Sequence, residues 1–171
     1  VADLSGFKIR VPPSPLWVPM FSAFGASPTS INLAETYSAL QTKIVEGHEN
    51  PIALILILRM FEVQKYVSIT NHMWDGYWLI ANGRAWNRLP DNLKGIVAKN
   101  VKIATMQERT EIRALNDSVQ GELIAKGLIF NTVDPIPFRD KLKQAGFYAS
   151  WRSKFGEQTW GLLESHAGKL G

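Results

Sequence analysis

The chain has 171 residues, of which 46% are hydrophobic and 20% are charged, which is the composition of an ordinary folded domain. It contains no cysteine, and this excludes disulfide frameworks, thiolate metal sites and cysteine nucleophiles. The formal net charge is +4, but Lys and Arg are spread along the whole length without the block or stripe typical of a nucleic-acid binder.

Neither a membrane span nor a signal peptide is visible in the sequence. The longest apolar run, residues 52–58, has 7 residues, and a helix needs about 18 to cross a bilayer. The first residues have neither a basic nor an apolar leader region, so any export signal would lie upstream or have been removed.

The first predicted element is a strand over residues 7–11. Its three apolar and two basic side chains alternate, which is the period of a strand with one buried face. Pro12 and Pro13 end it because neither can donate to a strand ladder. The strand therefore brings Arg10 to its carboxyl end.

Short helices and extended segments are predicted to follow. Residues 14–24 form a helix that ends at Gly25, and residues 27–31 are extended. Asn32 begins a second helix, with Glu35 in capping-box spacing. Gly47 ends this second predicted helix. Its predicted inward-facing residues are Leu33, Tyr37, Leu40 and Ile44.

The segment after Asn50 has two interpretations. Asn50 and Pro51 have the pattern of a helix N-cap followed by proline at the first helical position. The Ile and Leu content of residues 52–60 also suits a buried strand. The start signal favours a helix to about residue 64.

The second half contains a very long helical pattern. Apolar residues recur at spacings near 3.6 from residue 89 to residue 127, and a 36-residue helix would be about 54 Å long, a length typical of a bridge between two lobes. The other predicted elements are strands at 65–70, 77–81 and 127–133 and helices at 135–143 and 157–167. Strands that alternate with helices predict an α/β fold, in which ligands bind beyond the carboxyl ends of strands.

Six blocks of sequence, in the same order, resemble the solute-binding proteins of tripartite ATP-independent periplasmic (TRAP) transporters, of the C4-dicarboxylate-binding type. They are residues 7–12 (FKIRVP), 25–29 (GASPT), 37–42 (YSALQT), 46–51 (EGHENP), 61–66 (FEVQKY) and 70–72 (TNH). The resemblance covers nearly the whole chain and implies the carboxyl-terminal half of a two-lobe clamshell. Residues 1–75 and 116–171 would build the second lobe, and residues 76–115 would belong to the first, whose remainder is absent.

The resemblance also implies the ligand contacts. Arg10 would bind the ligand carboxylate through its guanidinium fork, and the Asn50 amide would donate to the same group. Leu33 stands where many relatives have a phenylalanine that packs on the acid. Trp74 and Asp75 are candidates for the cleft wall, and Ser14 for a specificity contact together with Trp17.

Each of these residues also has a purely structural interpretation. Asn50 before proline is a common N-cap, and Leu33 fits a core position. Trp74 and Asp75 suit hinge packing, while Ser14 and Trp17 suit surface or core roles. The histidines, which are His48, His72 and His166, lack metal-ligand spacing, and His72 is interpreted as structural.

We expect a carrier and not an enzyme. The sequence contains no phosphate-binding loop, nucleophile elbow or paired catalytic carboxylates, and no cofactor or metal is expected. The family resemblance implies a periplasmic protein that delivers a small organic acid to a membrane permease. A ligand-sensing receptor domain of the same fold is the alternative, and nucleic acid is not an expected partner. The exposed edge of residues 77–81 predicts segment-swapped self-association or cover by a piece outside this chain.

Overall fold

Two parallel sheets organise the structure, a computed structural model that describes residues 1–74 and 76–170. The first sheet has three strands in the order β2-β1-β3, and the second pairs β4 with β5. The strands are β1 (Lys8–Val11), β2 (Ser27–Ser30), β3 (Gly47–His48), β4 (Tyr66–Ile69) and β5 (Ile129–Thr132). All strand pairs within these sheets are parallel, which confirms the α/β class predicted from the sequence.

Helices connect and cover these strands. They are α1 (Trp17–Ala23), α2 (Leu33–Gln41), α3 (Ile52–Ile57), α4 (Gly83–Arg88), α5 (Asp91–Ala125), α6 (Ile136–Gln144) and α7 (Phe147–Ala167). Single 3-10 turns occur at Ala2–Leu4 and Met60–Glu62. No helix in the described part of the chain is both long and apolar enough to cross a membrane.

The central strand β1 is buried more completely than its alternating sequence predicts. Ile9 and Val11 enter the core as expected, and Lys8 is exposed. Arg10, predicted to face away from the core, is nevertheless only 1% exposed. Parallel strands in α/β folds are covered on both faces, so the polar face of β1 is buried as well.

Two hydrophobic clusters stabilise the fold. One joins β1 to α1, α6 and α7, and the other joins α2 and α3 to the last part of α5. The buried members of the first are Ile9, Val11, Trp17, Met20, Phe21, Phe24, Leu142, Phe147, Trp151 and Trp160. Those of the second are Ala39, Leu40, Val45, Ile55, Met60, Val119, Leu123 and Leu128.

Helix α2 begins as predicted and ends earlier. Asn32 is its N-cap, although its side chain makes no capping hydrogen bond. The helix ends at Gln41, not near Gly47, because Lys43 adopts a left-handed conformation with φ 60°. A helix end of this kind usually carries glycine, so Lys43 is no signal for it in the sequence, and the two-residue strand β3 is not predicted either. The buried side chains of α2 are Thr36, Ala39 and Leu40, and the predicted stripe is wrong for Leu33 and Ile44, which are exposed.

The segment after Asn50 is a helix, as the start signal predicted, but a short one. Helix α3 has Pro51 at its N-cap, and the N-cap prediction for Asn50 is therefore wrong. It ends at Ile57 because Arg59 adopts a left-handed conformation with φ 56°. The expected continuation to residue 64 is replaced by the turn at Met60–Glu62.

Residues 77–81 do not form the predicted strand. The side chains at residues 77–80 are between 76% and 89% exposed, and no strand among the described residues pairs with them. An isolated strand is not stable in water without a pairing partner, which explains the irregular conformation.

The last helix is longer than predicted. Helix α7 begins at Phe147 and continues through Gly156, where φ is 80° and the helix kinks. The sequence interpretation placed a helix boundary at Gly156, and the structure shows a kink between two helical segments instead.

The predicted long helix is confirmed as α5, which has 35 residues. At 1.5 Å per residue it is about 52 Å long. Its buried residues are Val119 and Leu123, both in its last quarter, and the preceding turns lie mainly in solvent. The stability contributed by α5 therefore depends on its carboxyl-terminal turns.

We expect Leu123→Ala to lower the free energy of unfolding by about 2–4 kcal/mol, because it removes a fully buried side chain and leaves a cavity. The matched control is the neighbouring Ile124→Ala, at a side chain 52% exposed, with an expected change of about 0.5 kcal/mol or less. Urea unfolding followed by circular dichroism measures both variants. Equal losses in the two variants would contradict the assigned packing of α5.

Candidate functional site

Three neighbouring strands place polar groups at one edge of the first sheet. Arg10 lies on β1, Ile31 follows β2, and Glu49 and Asn50 follow β3. Arg10 is in register with Thr29 of β2 and His48 of β3. The carboxyl ends of parallel strands meet at the same edge, so these residues converge although they are far apart in sequence.

The Arg10 side chain is fixed by backbone carbonyls from both adjacent chain segments. Its Nε donates to the Ile31 carbonyl at 2.9 Å, and its Nη1 donates to the Glu49 carbonyl at 3.5 Å. Burial lowers the pKa of the guanidinium, and the nearby Glu49 charge opposes that shift. The side chain is thus anchored with the fork inside the protein at the edge of the sheet.

Arg10 has no carboxylate partner within 4 Å among the described residues, since the ion pairs found there all involve other groups. Buried charges in proteins are normally paired, because a neutral carbonyl offsets only part of the lost hydration. Among the described residues, the buried guanidinium therefore has two carbonyl acceptors and no carboxylate in ion-pair contact.

Asn50 forms its side-chain contact with His48. The distance from Asn50 Nδ2 to His48 Nδ1 is 2.8 Å. Burial, with the positive charge of Arg10 as the second cause, lowers the pKa of His48 to about 4. His48 is therefore neutral at pH 7, and its Nδ1 accepts the hydrogen bond from the Asn50 amide.

Glu49 connects this edge to the segment after β4. Its carboxylate lies 3.4 Å from His72 Nε2, and Thr70 Oγ1 lies 2.6 Å from His72 Nδ1. The His72 ring also meets the rings of Trp17 and Phe21 edge-on, with centroids 5.7 Å and 5.6 Å away. His72 is thus in contact with α1 and with the segments after β3 and β4, and its structural interpretation stays a prediction.

The remaining candidates lie in different surroundings. Leu33, the first residue of α2, is 38% exposed, so its position is that of an accessible apolar wall and not of the core. Ser14 is exposed, and its Oγ accepts from the Leu16 amide at 3.5 Å in the turn before α1. Trp17 is a core residue. Trp74 is 87% exposed and is not packed into the site, and Asp75 lies outside the described residues.

A cavity of about 600 Å³ lies beside this cluster, between β3 and β4. His48, Glu49 and Asn50 line it on one side and residues of β4 on the other, while Arg10 does not line it. Phenylalanine side chains form much of its wall, namely Phe7, Phe21, Phe24 and Phe138. Lys65 and His72 also line the cavity, so it has polar as well as apolar walls, and through Glu49 and Asn50 it adjoins the Arg10 edge of the sheet, where we place the candidate site.

Sequence reasoning missed two of the groups that shape the site. His48 was considered only as a metal ligand, and the carbonyl of Ile31 was not considered. Residues two apart in an extended segment point the same way, which would pair His48 with Asn50, but no local pattern predicts that residues 47–50 are extended. Within the described residues, no three His, Asp or Glu side chains are arranged to hold a metal ion.

Comparison with known proteins identifies the family. Residues 1–149 match the bacterial extracellular solute-binding proteins, family 7 (DctP). The chain belongs to this family. The resemblance found in the sequence is confirmed, and the family is one of solute-binding proteins, in agreement with the expectation that the chain is not an enzyme.

Two solved structures show the same fold. One is a TRAP periplasmic solute-binding protein from Roseobacter denitrificans OCh 114 with bound L-galactonate, 36% identical with a TM-score of 0.80, over 85% of this chain and 48% of that one. The other, from Pseudomonas putida F1 with bound D-glucuronate, is 31% identical with a TM-score of 0.81, over 99% of this chain and 53% of that one.

A curated relative agrees with these structures. The C4-dicarboxylate-binding periplasmic protein DctP of Vibrio cholerae is 32% identical over 78% of this chain and 40% of its own length. The chain spans about half the length of the curated relatives it matches.

The low pKa of His48 predicts a pH dependence of stability. In the unfolded chain His48 has its ordinary pKa of 6.5, so between pH 6.5 and about 4 the unfolded state binds more protons than the folded state. The free energy of unfolding should therefore fall as the pH falls through this window, by up to about 3 kcal/mol from this residue. Denaturant unfolding at several pH values between 7 and 4 measures the effect.

The variant His48→Asn should lose this part of the pH dependence, since asparagine does not titrate. His166→Asn, at an exposed position near the end of α7, is the matched control and should keep it. Parallel pH curves for the parent protein and His48→Asn would show that His48 is not held neutral by the fold.

Proposed function

We propose that this chain is the second ligand-binding lobe of a TRAP solute-binding protein that captures a small organic acid through Arg10. The observation that carries the proposal is the buried Arg10 guanidinium, which has no carboxylate partner within 4 Å among the described residues. A ligand carboxylate would supply the missing negative charge through two parallel hydrogen bonds. Arg10 is the residue type best suited to this, because lysine cannot form the bidentate geometry.

The neighbouring groups fit the same ligand. Asn50 lies at the end of the adjacent strand, and Leu33 offers an apolar wall at the start of α2. Because Arg10 is buried in this structure, a carboxylate reaches it only after the side chain or a covering segment moves. That requirement agrees with a site that opens and closes around its ligand.

The class of ligand follows from the shared carboxylate chemistry. Two similar structures hold sugar acids, and a curated relative is named for C4-dicarboxylates. All of these present a carboxylate to the protein. We therefore propose a small hydroxylated or dicarboxylic acid and take L-galactonate, D-glucuronate and succinate as the first probes.

The division into lobes is also a proposal. Residues 1–75 and 116–171 would form the second lobe, and residues 76–115 would pack on the first. The burial pattern supports this, because both hydrophobic clusters draw their buried residues from outside 76–115. Closure of two such lobes would be stabilised only by a ligand that contacts both.

The cellular role follows from the family. We propose a periplasmic location and delivery of the closed, loaded protein to the membrane permease of a TRAP transporter. Membership in a family of extracellular solute-binding proteins supports both statements.

We expect Arg10→Ala, made in the protein that carries both lobes, to weaken binding of the preferred acid by roughly 10²–10³-fold, because the carboxylate would be buried without a partner. Arg10→Lys should weaken it by about 10-fold or more, since it keeps the charge and loses the fork. A thermal-shift screen selects the acid from the three probes, and titration calorimetry measures its affinity.

Arg109→Ala on the exposed surface of α5 is the control for the loss of a positive charge. It should bind with the affinity of the parent protein. If Arg10→Lys also binds like the parent, Arg10 is not a ligand contact and the proposed function fails.

We further propose that the apolar segment 77–80 is covered by a second copy of this chain when the chain is alone. Its four large side chains are far more exposed than a stable soluble surface normally allows. The chain should therefore sediment as a dimer or larger species at high concentration, and Trp78→Glu with Leu79→Glu should shift it toward monomer. A parent chain that stays monomeric at the highest concentration tested would contradict this.

A further inference from the structure

His48 and Asn50 form a hydrogen-bonded pair at the edge of the site. The proposed binding of a carboxylate by Arg10 does not by itself explain this pair. Asn50 Nδ2 lies 2.8 Å from His48 Nδ1, and both side chains are partly buried. An amide nitrogen can only donate, so His48 Nδ1 must accept, and the imidazole proton must reside on Nε2. The placement of the amide nitrogen toward the ring thus implies the Nε2 tautomer, whereas a reversed amide would imply a proton on Nδ1.

We propose that His48 is a positioning residue, which holds the Asn50 amide in one orientation so that its second N–H and its carbonyl oxygen are presented to the ligand. This inference rests on the proposed function of Arg10 and Asn50. A terminal amide rotates easily between two orientations with opposite donor and acceptor positions. Fixing it before the ligand arrives reduces the ordering cost of binding.

The surroundings of His48 favour this role. The residue is in register with Arg10 on the adjacent strand, so a positive charge faces it across the sheet. A second positive charge on the imidazole is thereby disfavoured, and the acceptor at Nδ1 persists at neutral pH. Arg10 thus has two effects, one on the ligand directly and one on the hydrogen-bonding state of His48.

The close packing behind His48 limits alternative arrangements. The preceding residue, Gly47, is buried, and a Cβ placed on it would lie 2.7 Å from the Phe7 ring. The backbone of β3 therefore needs glycine at this position to approach Phe7 so closely. The close approach to Phe7 thus positions the backbone from which the His48 side chain projects.

The test is a double-mutant cycle on ligand affinity, made in the protein that carries both lobes. The ligand is the one of L-galactonate, D-glucuronate and succinate that gives the largest thermal shift. His48→Leu removes the acceptor and should weaken binding by about 3- to 10-fold, the effect of one hydrogen bond. His48→Asn places an oxygen near the position of Nδ1 and should bind within about 2-fold of the parent.

The proposal is tested by whether the affinity losses at His48 and Asn50 are coupled or additive. If His48 acts only by orienting Asn50, the double variant His48→Leu/Asn50→Ala should bind as Asn50→Ala does. Independent, additive losses would mean that His48 acts through packing or through Arg10, and the proposal would be wrong. Loss of affinity in Arg10→Lys with unchanged affinity in His48→Leu would overturn this inference and leave the proposed function standing.

Nitrogen-15 NMR of the unliganded protein gives a second measurement that needs no ligand. The His48 imidazole should show the tautomer with the proton on Nε2. In Asn50→Ala its pKa should rise, because the donor that favours the neutral ring is gone. A proton on Nδ1, or a pKa unchanged by Asn50→Ala, would overturn the proposed contact.

Discussion

The structure depends on one unusual constraint, a guanidinium buried at the carboxyl edge of a parallel sheet. Arg10 is held there by the carbonyls of Ile31 and Glu49, which belong to the segments after the two flanking strands. Strand β1 and the segments after β2 and β3 are distant in sequence. All three must therefore be folded together before both hydrogen bonds of Arg10 can form. A site built this way is set by the topology of the sheet and is independent of any single loop.

The electrostatic consequence extends to the neighbouring residues. Burial, and after it the charge of the adjacent Arg10, lowers the pKa of His48 to about 4, so that His48 is neutral at pH 7. Glu49, the nearest source of negative charge, places its carboxylate toward His72 and offers Arg10 its backbone carbonyl. The Glu49 charge therefore acts on Arg10 without an ion pair within 4 Å among the described residues, which supports the proposal that a ligand carboxylate pairs with the guanidinium.

Much of this arrangement could be predicted, because local signals and tertiary structure agree in β1, β2 and α5. The alternation of residues 7–11 and the two following prolines located β1, and the 3.6-residue period located α5. The ends of α2 and α3 could not be predicted, since Lys43 and Arg59 adopt left-handed conformations without the glycine that usually signals them. The two-residue strand β3 depends on pairing with β1 and has no local signal of its own.

The site was predicted in outline and incompletely in detail. The family resemblance pointed to Arg10, Asn50 and Leu33, and the structure puts all three after or on adjacent strands. The link between His48 and Asn50 could not be obtained from composition or from helical periodicity, because it exists only when residues 47–50 are extended. Trp74 is 87% exposed, and its place in the cleft wall stays a prediction.

Several exposed apolar residues of the chain lie in one segment and also bear on the division into two lobes. The apolar residues 77–80 and the first turns of α5 are exposed together in the segment 76–115, of which only Leu115 packs against a hydrophobic cluster among the described residues. Apolar side chains recur at helical spacing on this exposed part of α5, for example Ile96, Ile103 and Met106. This pattern is typical of a helix face that packs on a partner, and it supports the proposed place of residues 76–115 in the first lobe, with a ligand at Arg10 between the two lobes.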